Sequence, residues 1–252
     1  MKDLVKMWSN TRMVVLSAVS AALYVALLLP FKFLLVIPGF AELRPAGAIP
    51  PSCGLLFGPA GAFGAGFGNL IGDIFGGMLG PVSLFGVVAN FLYGYLPYKT
   101  YRALAQENFA WKMPLRNWLA LLFSIALGAC SCGIVIGFGA DLFGFVPFKA
   151  LANWICINNL LFGLTLCPLI LISIFSYIKD AGLFYEDLIA PKKSGALSMV
   201  GIILVLIGVL SALGLGNYSG PVQNLFDVSG KMLTALTVGP GVALIILGAI
   251  LI

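Results

Sequence analysis

A chain of 252 residues with 61% apolar and only 9% charged side chains lies far below the roughly 25% charge of a water-soluble domain. Its mean hydropathy of +1.07 makes it an integral membrane protein with no room for a sizeable soluble domain. The net charge of +5 is modest and the chain has no histidine. That argues against a nucleic-acid partner and excludes histidine metal sites, Ser-His-Asp triads and histidine proton relays.

The opening MKDLVKMWSNTR carries Lys2, Lys6 and Arg12 but no small-residue cleavage site, so a retained first helix is expected, roughly Met13 to Pro30. Its basic flank puts the N-terminus in the cytoplasm. Residues 31 to 45 then form an outer loop. A short apolar piece, Ala46 to Phe57, and a Gly/Ala-rich one, Pro59 to Phe75, follow, with Pro59 marking the break. The fourth span runs from Pro81 to about Pro97, the fifth from Trp118 to Ala140, the sixth from Phe148 to Ile178. Two more, Ala196 to Leu215 and about Met232 to Ile252, complete the chain.

The basic residues test this count. If residues 46 to 76 cross twice, ten of the fourteen Lys and Arg fall inside, in the N-terminus, 98–117 and 179–195. Only Lys32, Arg44, Lys149 and Lys231 fall outside. Eight passes with both termini cytoplasmic follow from the positive-inside rule. A re-entrant pair at 46 to 76 leaves the rest of the orientation unchanged.

The segment from Glu42 to Gly80 organises the chain. Gly64, Gly68, Gly72 and Gly76 recur every fourth residue, so on a helix they form a smooth ridge for close helix approach. Asn69 and Asp73 flank that ridge on a shared face. With this topology the polar residues gather toward the outer half: Glu42 and Arg44 in the loop, Asn69 and Asp73 near the outer end of the third span, and Asn153, Trp154, Asn158 and Asn159 in the outer half of the sixth, with Asn90 and Tyr93 near the middle of the fourth. Amides and carboxylates offer a mixed donor and acceptor edge, and Tyr93 and Trp154 offer flat surfaces. That combination suits a small planar solute. Each amide has an alternative role in tying helices together, and Glu42 and Arg44 have the alternative of pairing only with each other. Asp73 is the costliest to leave in a membrane, about 2.5 to 3.5 kcal/mol at a helix centre. The five cysteines sit in apolar runs and read as packing residues, as do Gly133 and Gly137. Ala18, Ala22 and Ala26 repeat every fourth residue on the first span, a flat face for another helix or for internal packing.

Several of these phrases resemble a known family. The alanine-rich first helix, the Pro-entered second, the junction Gly54-Leu55-Leu56-Phe57-Gly58-Pro59-Ala60-Gly61 and the run Asn90-Phe91-Leu92-Tyr93-Gly94 are similar to the substrate-binding (S) components of energy-coupling factor (ECF) transporters, over roughly residues 10 to 180. ELRPAGAIPP is similar to S components proposed for queuosine precursors. The resemblance implies a six-helix substrate-binding core, here residues 1–180, joined by a cytoplasmic linker, 181–195, to two additional C-terminal transmembrane helices, 196–252. It implies capture of a vitamin-like or deazapurine-like micronutrient from outside a prokaryotic cell membrane. Delivery would need a transmembrane coupling subunit and two ATPases, with Ala18, Ala22 and Ala26 as the docking face. S components for nickel or cobalt use an N-terminal histidine, so a metal cargo is not expected.

No catalysis, cofactor or metal is expected of the chain itself, and it has no Walker-type phosphate loop. The alternative is a stand-alone secondary transporter or channel for a small polar solute. Inverted repeats would mark one, and no second copy of the 42–80 phrase is evident. A membrane enzyme acting on lipid would need clustered nucleophiles, acids or metal ligands, which Asp73 alone does not supply.

Overall fold

A computed structural model describes residues 2–32, 35–37, 41–105, 109–189, 195–226 and 229–252. The basic pair Lys192 and Lys193, counted above among the inner charges, lies outside these residues. The chain is an all-α membrane protein. In order, the helices are α1 (Lys2–Lys6), α2 (Thr11–Leu28), α3 (Ile49–Phe57), α4 (Pro59–Phe75), α5 (Pro81–Leu104), α6 (Leu115–Leu142), α7 (Phe148–Asp180), α8 (Tyr185–Ile189), α9 (Ala196–Asn217), α10 (Gly220–Phe226), α11 (Gly230–Thr237) and α12 (Gly239–Leu251). Between α2 and α3, strands β1 (Leu35–Ile37) and β2 (Ala41–Glu42) pair antiparallel, with Leu35 opposite Glu42. Among the described residues, five stretches are long and apolar enough to cross a membrane: Thr11–Phe31, Leu115–Leu142, Phe148–Ile189, Ala196–Asn217 and Gly230–Leu251.

Local chemistry explains where the elements begin and turn. Asn10 caps α2, its Oδ1 accepting from the backbone N–H of Arg12 at 3.0 Å and of Met13 at 3.4 Å. Gly58 separates α3 from α4 at φ +58°, a left-handed value that L side chains avoid, and Pro59 starts the next helix. At Gly61 a Cβ would collide with the backbone carbonyl of Cys53, so α3 and α4 fold back on each other at backbone distance. A Cβ on any of the four ridge glycines would strike the first span or the residues just after it: Ser20 for Gly64, Tyr24 for Gly68, Leu28 for Gly72 and Lys32 for Gly76. The ridge is therefore the seam between α4 and the first span. Gly133 and Gly137 make the corresponding seam between α6 and α7, against Cys156 and Ala152. All five cysteines are free.

Three features differ from expectation. The fourth span does not stop at Pro97; α5 continues to Leu104 with the proline inside it. Gly128 of α6 makes room for the ring, since a Cβ there would lie 2.9 Å from Pro97 Cγ and Cδ. The last turn of α5 is held by Asp3, whose Oδ2 lies 2.8 Å from Lys99 Nζ, accepts from Tyr98 Oη at 3.2 Å and lies 3.6 Å from an Arg102 nitrogen. The last span is two helices, α11 and α12, meeting at Val238 and Gly239 before Pro240. The residues after α7 turn back as α8, where Asn10 Nδ2 donates to the Leu188 carbonyl at 3.0 Å and Tyr185 covers Gly58.

Candidate functional site

At the end of the bundle away from Asp3 lies a cavity of about 260 Å³. Its wall comes mainly from Lys32 after α2, Glu42 and Arg44 before α3, Asn69 and Asp73 on α4, the 77–80 turn with the first residues of α5, and Trp154, Asn158 and Asn159 on α7. Cys132 and Ile136 of α6 and Phe145 of the α6–α7 turn complete it.

Arg44 is the hub. Its Nε and Nη2 donate to Glu42 Oε1 at 3.0 and 2.6 Å. Its Nη1 reaches Tyr24 Oη at 3.3 Å and Asn69 Oδ1 at 3.4 Å. Its backbone N–H donates to Asn158 Oδ1 at 3.1 Å, which ties the loop to α7. Burial alone would lower the guanidinium pKa, but the charges of Glu42 and Asp73 outweigh it and hold Arg44 above its ordinary value. The network continues through α4: Asn69 Nδ2 donates to Asp73 Oδ2 at 3.2 Å, and Lys32 Nζ donates to Asp73 Oδ1 at 3.1 Å. Two cations therefore face two anions. Gly86 of α5 permits this arrangement, because a Cβ there would lie 2.6 Å from Asn69 Nδ2.

Of the residues singled out in the sequence, Glu42, Arg44, Asn69, Asp73, Trp154 and Asn158 meet at this cavity. Three others do not line it. Asn90 lies behind the wall, accepting from Tyr24 Oη at 2.8 Å and donating to the Gly86 carbonyl at 2.9 Å. Tyr93 is buried and donates to the Asn159 backbone carbonyl at 2.9 Å. Asn153 pairs reciprocally with Asn217 of α9, at 2.7 and 3.1 Å. Asn90 and Asn153 make the helix-tying contacts weighed for intramembrane amides. Lys32 was missed as a site residue, although a lysine outside against the positive-inside rule was a signal for it. Asn159 was noted but not chosen. Ala18, Ala22 and Ala26 are exposed along α2, beside a shallow apolar groove with Trp8, Phe67 and Ile71. Their face borders the one that α4 covers, since Phe67 and Ile71 of α4 share the groove.

A family model described as the QueT transporter matches residues 14–176. The chain belongs to the QueT transporter family. This is an ECF S-component family for queuosine precursors, so the family resemblance read from the 42–80 phrase and the Asn90–Gly94 run holds. No curated protein and no solved structure matches the chain. All the cavity residues named above lie within the residues matched to the QueT family, whereas α9 to α12 lie beyond them. The chain is thus a multi-pass membrane transporter component whose polar cavity belongs to the family core.

Proposed function

We propose that the chain is the substrate-binding subunit of an ECF-type uptake system, and that the cavity at Arg44 holds a queuosine precursor, a small deazapurine-like base, captured from outside a prokaryotic cell. The observation that carries this reading is the joining of Glu42, Arg44, Asn69, Asp73, Trp154 and Asn158 around one cavity inside the QueT-matched core. Buried ionisable groups in a membrane are costly and mark solute sites. Pockets for drug-sized ligands run to about 300–1,000 Å³, so a cavity of about 260 Å³ suits a bare base better than a nucleotide.

Nothing about the site suggests catalysis, so the work of moving the cargo inward falls to partners. The exposed stripe Ala18, Ala22 and Ala26 is a smooth face on which a coupling subunit can lie, driven by two ATPases. The basic segments support cytoplasmic termini and a cavity on the outer side. The eight-pass count and the three-part division at 180 and 195 belong to the same reading. In it, the C-terminal helices are additions that pack on α6, away from the alanine face.

The test is uptake of a radiolabelled queuosine precursor by cells that lack their own route. Uptake is expected only when the chain is expressed together with a coupling subunit and ATPases, and the purified chain should bind the precursor alone. Uptake by the chain without an ATPase module would favour the stand-alone secondary transporter instead.

A further inference from the structure

At the Asp3 end of the bundle, away from the Arg44 cavity, two adjoining hollows share Thr11 and Arg12. The first is a groove of about 510 Å³ between α2 and α7, with α3 as its floor. Val15, Val19 and Leu23 line it from α2, and Ile170, Ile174 and Ile178 from α7. Each set recurs every fourth residue and so forms one row along its helix. The Ser52 hydroxyl on the floor is turned to the Ala48 carbonyl at 2.7 Å, so beyond its mouth the groove presents a hydrocarbon surface. From Thr11 to Leu23 it runs about 18 Å along α2, at 1.5 Å per residue. That is close to one leaflet of a bilayer whose hydrocarbon core is roughly 30 Å thick.

The second hollow, of about 700 Å³, is polar, lined by Lys6, Ser9, Asn10, Arg12 and Asp187 among others. It sits where two of the membrane-length stretches end, at Thr11 and at Ile189, hence at the level of lipid headgroups. Lys6 and Arg12 are exposed there, and none of the ion pairs among the described residues uses either. Two cations against the single carboxylate of Asp187 leave one positive charge in excess. The first N–H groups of α2 are already taken by Asn10, so the two side chains carry the attraction for an anion.

We propose that the two hollows form one binding site for an anionic phospholipid, with an acyl chain in the α2–α7 groove and the phosphate between Lys6 and Arg12. Basic pockets between spans at a membrane surface recognise anionic headgroups. A groove alone takes any acyl chain, and two cations alone take any anion; their junction at Arg12 joins both demands in one amphiphile. A partner helix fits less well, because the groove is one leaflet deep and opens onto charge. The site shares no residue with the Arg44 cavity, so it stands or falls independently of the cargo reading.

The test uses the purified full chain, stripped of lipid in detergent, with dioleoylphosphatidylglycerol and dioleoylphosphatidylcholine as probes and native mass spectrometry as the readout. The chain should retain a single phosphatidylglycerol at least about tenfold more tightly than phosphatidylcholine. Each Lys or Arg at a membrane surface changes anionic-lipid binding by about fivefold, so Lys6→Gln and Arg12→Gln should each lose about fivefold and the double variant about twenty-five-fold. The melting temperature of the lipid-free protein should not move in these variants. Val19→Trp, which fills the groove, should weaken both lipids, and glycerol 1-phosphate, a headgroup without chains, should give no heat in calorimetry. Equal retention of the two lipids, or a double variant that keeps the preference, overturns the site and leaves the groove to a partner helix. Glycerol 1-phosphate bound as tightly as the lipid overturns it too, because the groove then plays no part. Should Val19→Trp not fold, the charge variants and the probe series decide.

Discussion

Lys32 Nζ and Asp73 Oδ1 lie 3.1 Å apart, joining the end of the first span to α4 beside the cavity. Both side chains are largely buried, at 4% and 14% exposure. Removing one partner of such a pair leaves an uncompensated buried charge, at a cost of about 3–5 kcal/mol, whereas replacing both with apolar groups can be neutral. Asp73→Leu should therefore lower the melting temperature in detergent. The double variant Lys32→Met/Asp73→Leu should recover most of that loss. Neither should bind ligand if the pair also shapes the cavity. Thermal unfolding and calorimetry on both variants separate the two effects; a double variant that binds normally would leave the pair with a structural role only.

Gly86 gives a sharper probe of the same wall. A Cβ there would fall 2.6 Å from Asn69 Nδ2, closer than packed atoms tolerate. The amide must then leave Asp73 or Arg44. Gly86→Ala should weaken ligand binding by tenfold or more, with a stability cost of about 1–3 kcal/mol from overpacking. Normal affinity in this variant would mean that Asn69 is free to move without consequence.

The alanine stripe is tested by bulk. On the docking reading, Ala22→Trp should leave ligand affinity within twofold of wild type, because the residue lies on the far side of α2 from the cavity network. Co-purification with a coupling subunit and ATP-driven uptake should both be lost. Retained uptake removes the stripe as a docking face.

These residues show what a sequence carries and what it hides. The ridge Gly64, Gly68, Gly72 and Gly76 was legible because helical periodicity alone puts every fourth residue on one face, and the structure seats each against α2 or the residues just after it. Glu42, Arg44, Asn69 and Asp73 were legible because ionisable groups and amides stand out in an apolar chain. Lys32 was not, since its partner Asp73 lies 41 positions away and no local pattern links them. Asn153 read as a site residue for the opposite reason: its partner Asn217 is 64 positions on, in a helix that looked featureless. Pro97 looked like a helix end because the local rule is strong. The space that Gly128 leaves for its ring and the Asp3 anchor beyond it are tertiary facts.

The Asp3 anchor predicts an acid response. Burial raises the carboxyl pKa, but the hydrogen bond and charge of Lys99, the hydroxyl of Tyr98 and the charge of Arg102 together hold it below its ordinary 3.8. A depressed carboxyl stabilises the fold above its unfolded value and loses that contribution as pH falls through the folded one. The tie between α1 and α5 should thus be intact from neutral pH down to about 3.8 and release below it. Asp3→Asn should remove the part of the unfolding curve that depends on acid below about pH 3.8 and leave ligand affinity unchanged, because Asp3 sits at the opposite end from the cavity. A wild-type and an Asp3→Asn protein with the same acid profile would show that the anchor contributes nothing to stability.

The C-terminal helices reach the cavity through one turn. Thr234 Oγ1 of α11 donates to Asp141 Oδ2 at 2.7 Å, and the same oxygen accepts from the Phe148 backbone N–H at 3.0 Å. Asp141 thereby clamps the 143–147 turn, and Phe145 of that turn is part of the cavity wall. A hydrogen bond to a charged group contributes about 1.5–3 kcal/mol, so losing Thr234 should loosen the turn without unfolding the core. Thr234→Val is expected to speed ligand release severalfold with a smaller change in association rate, and Asp141→Leu to do so more strongly. Stopped-flow dissociation measures both. Unchanged release in the two variants would confine α11 to a packing role and leave Phe145 held by other contacts.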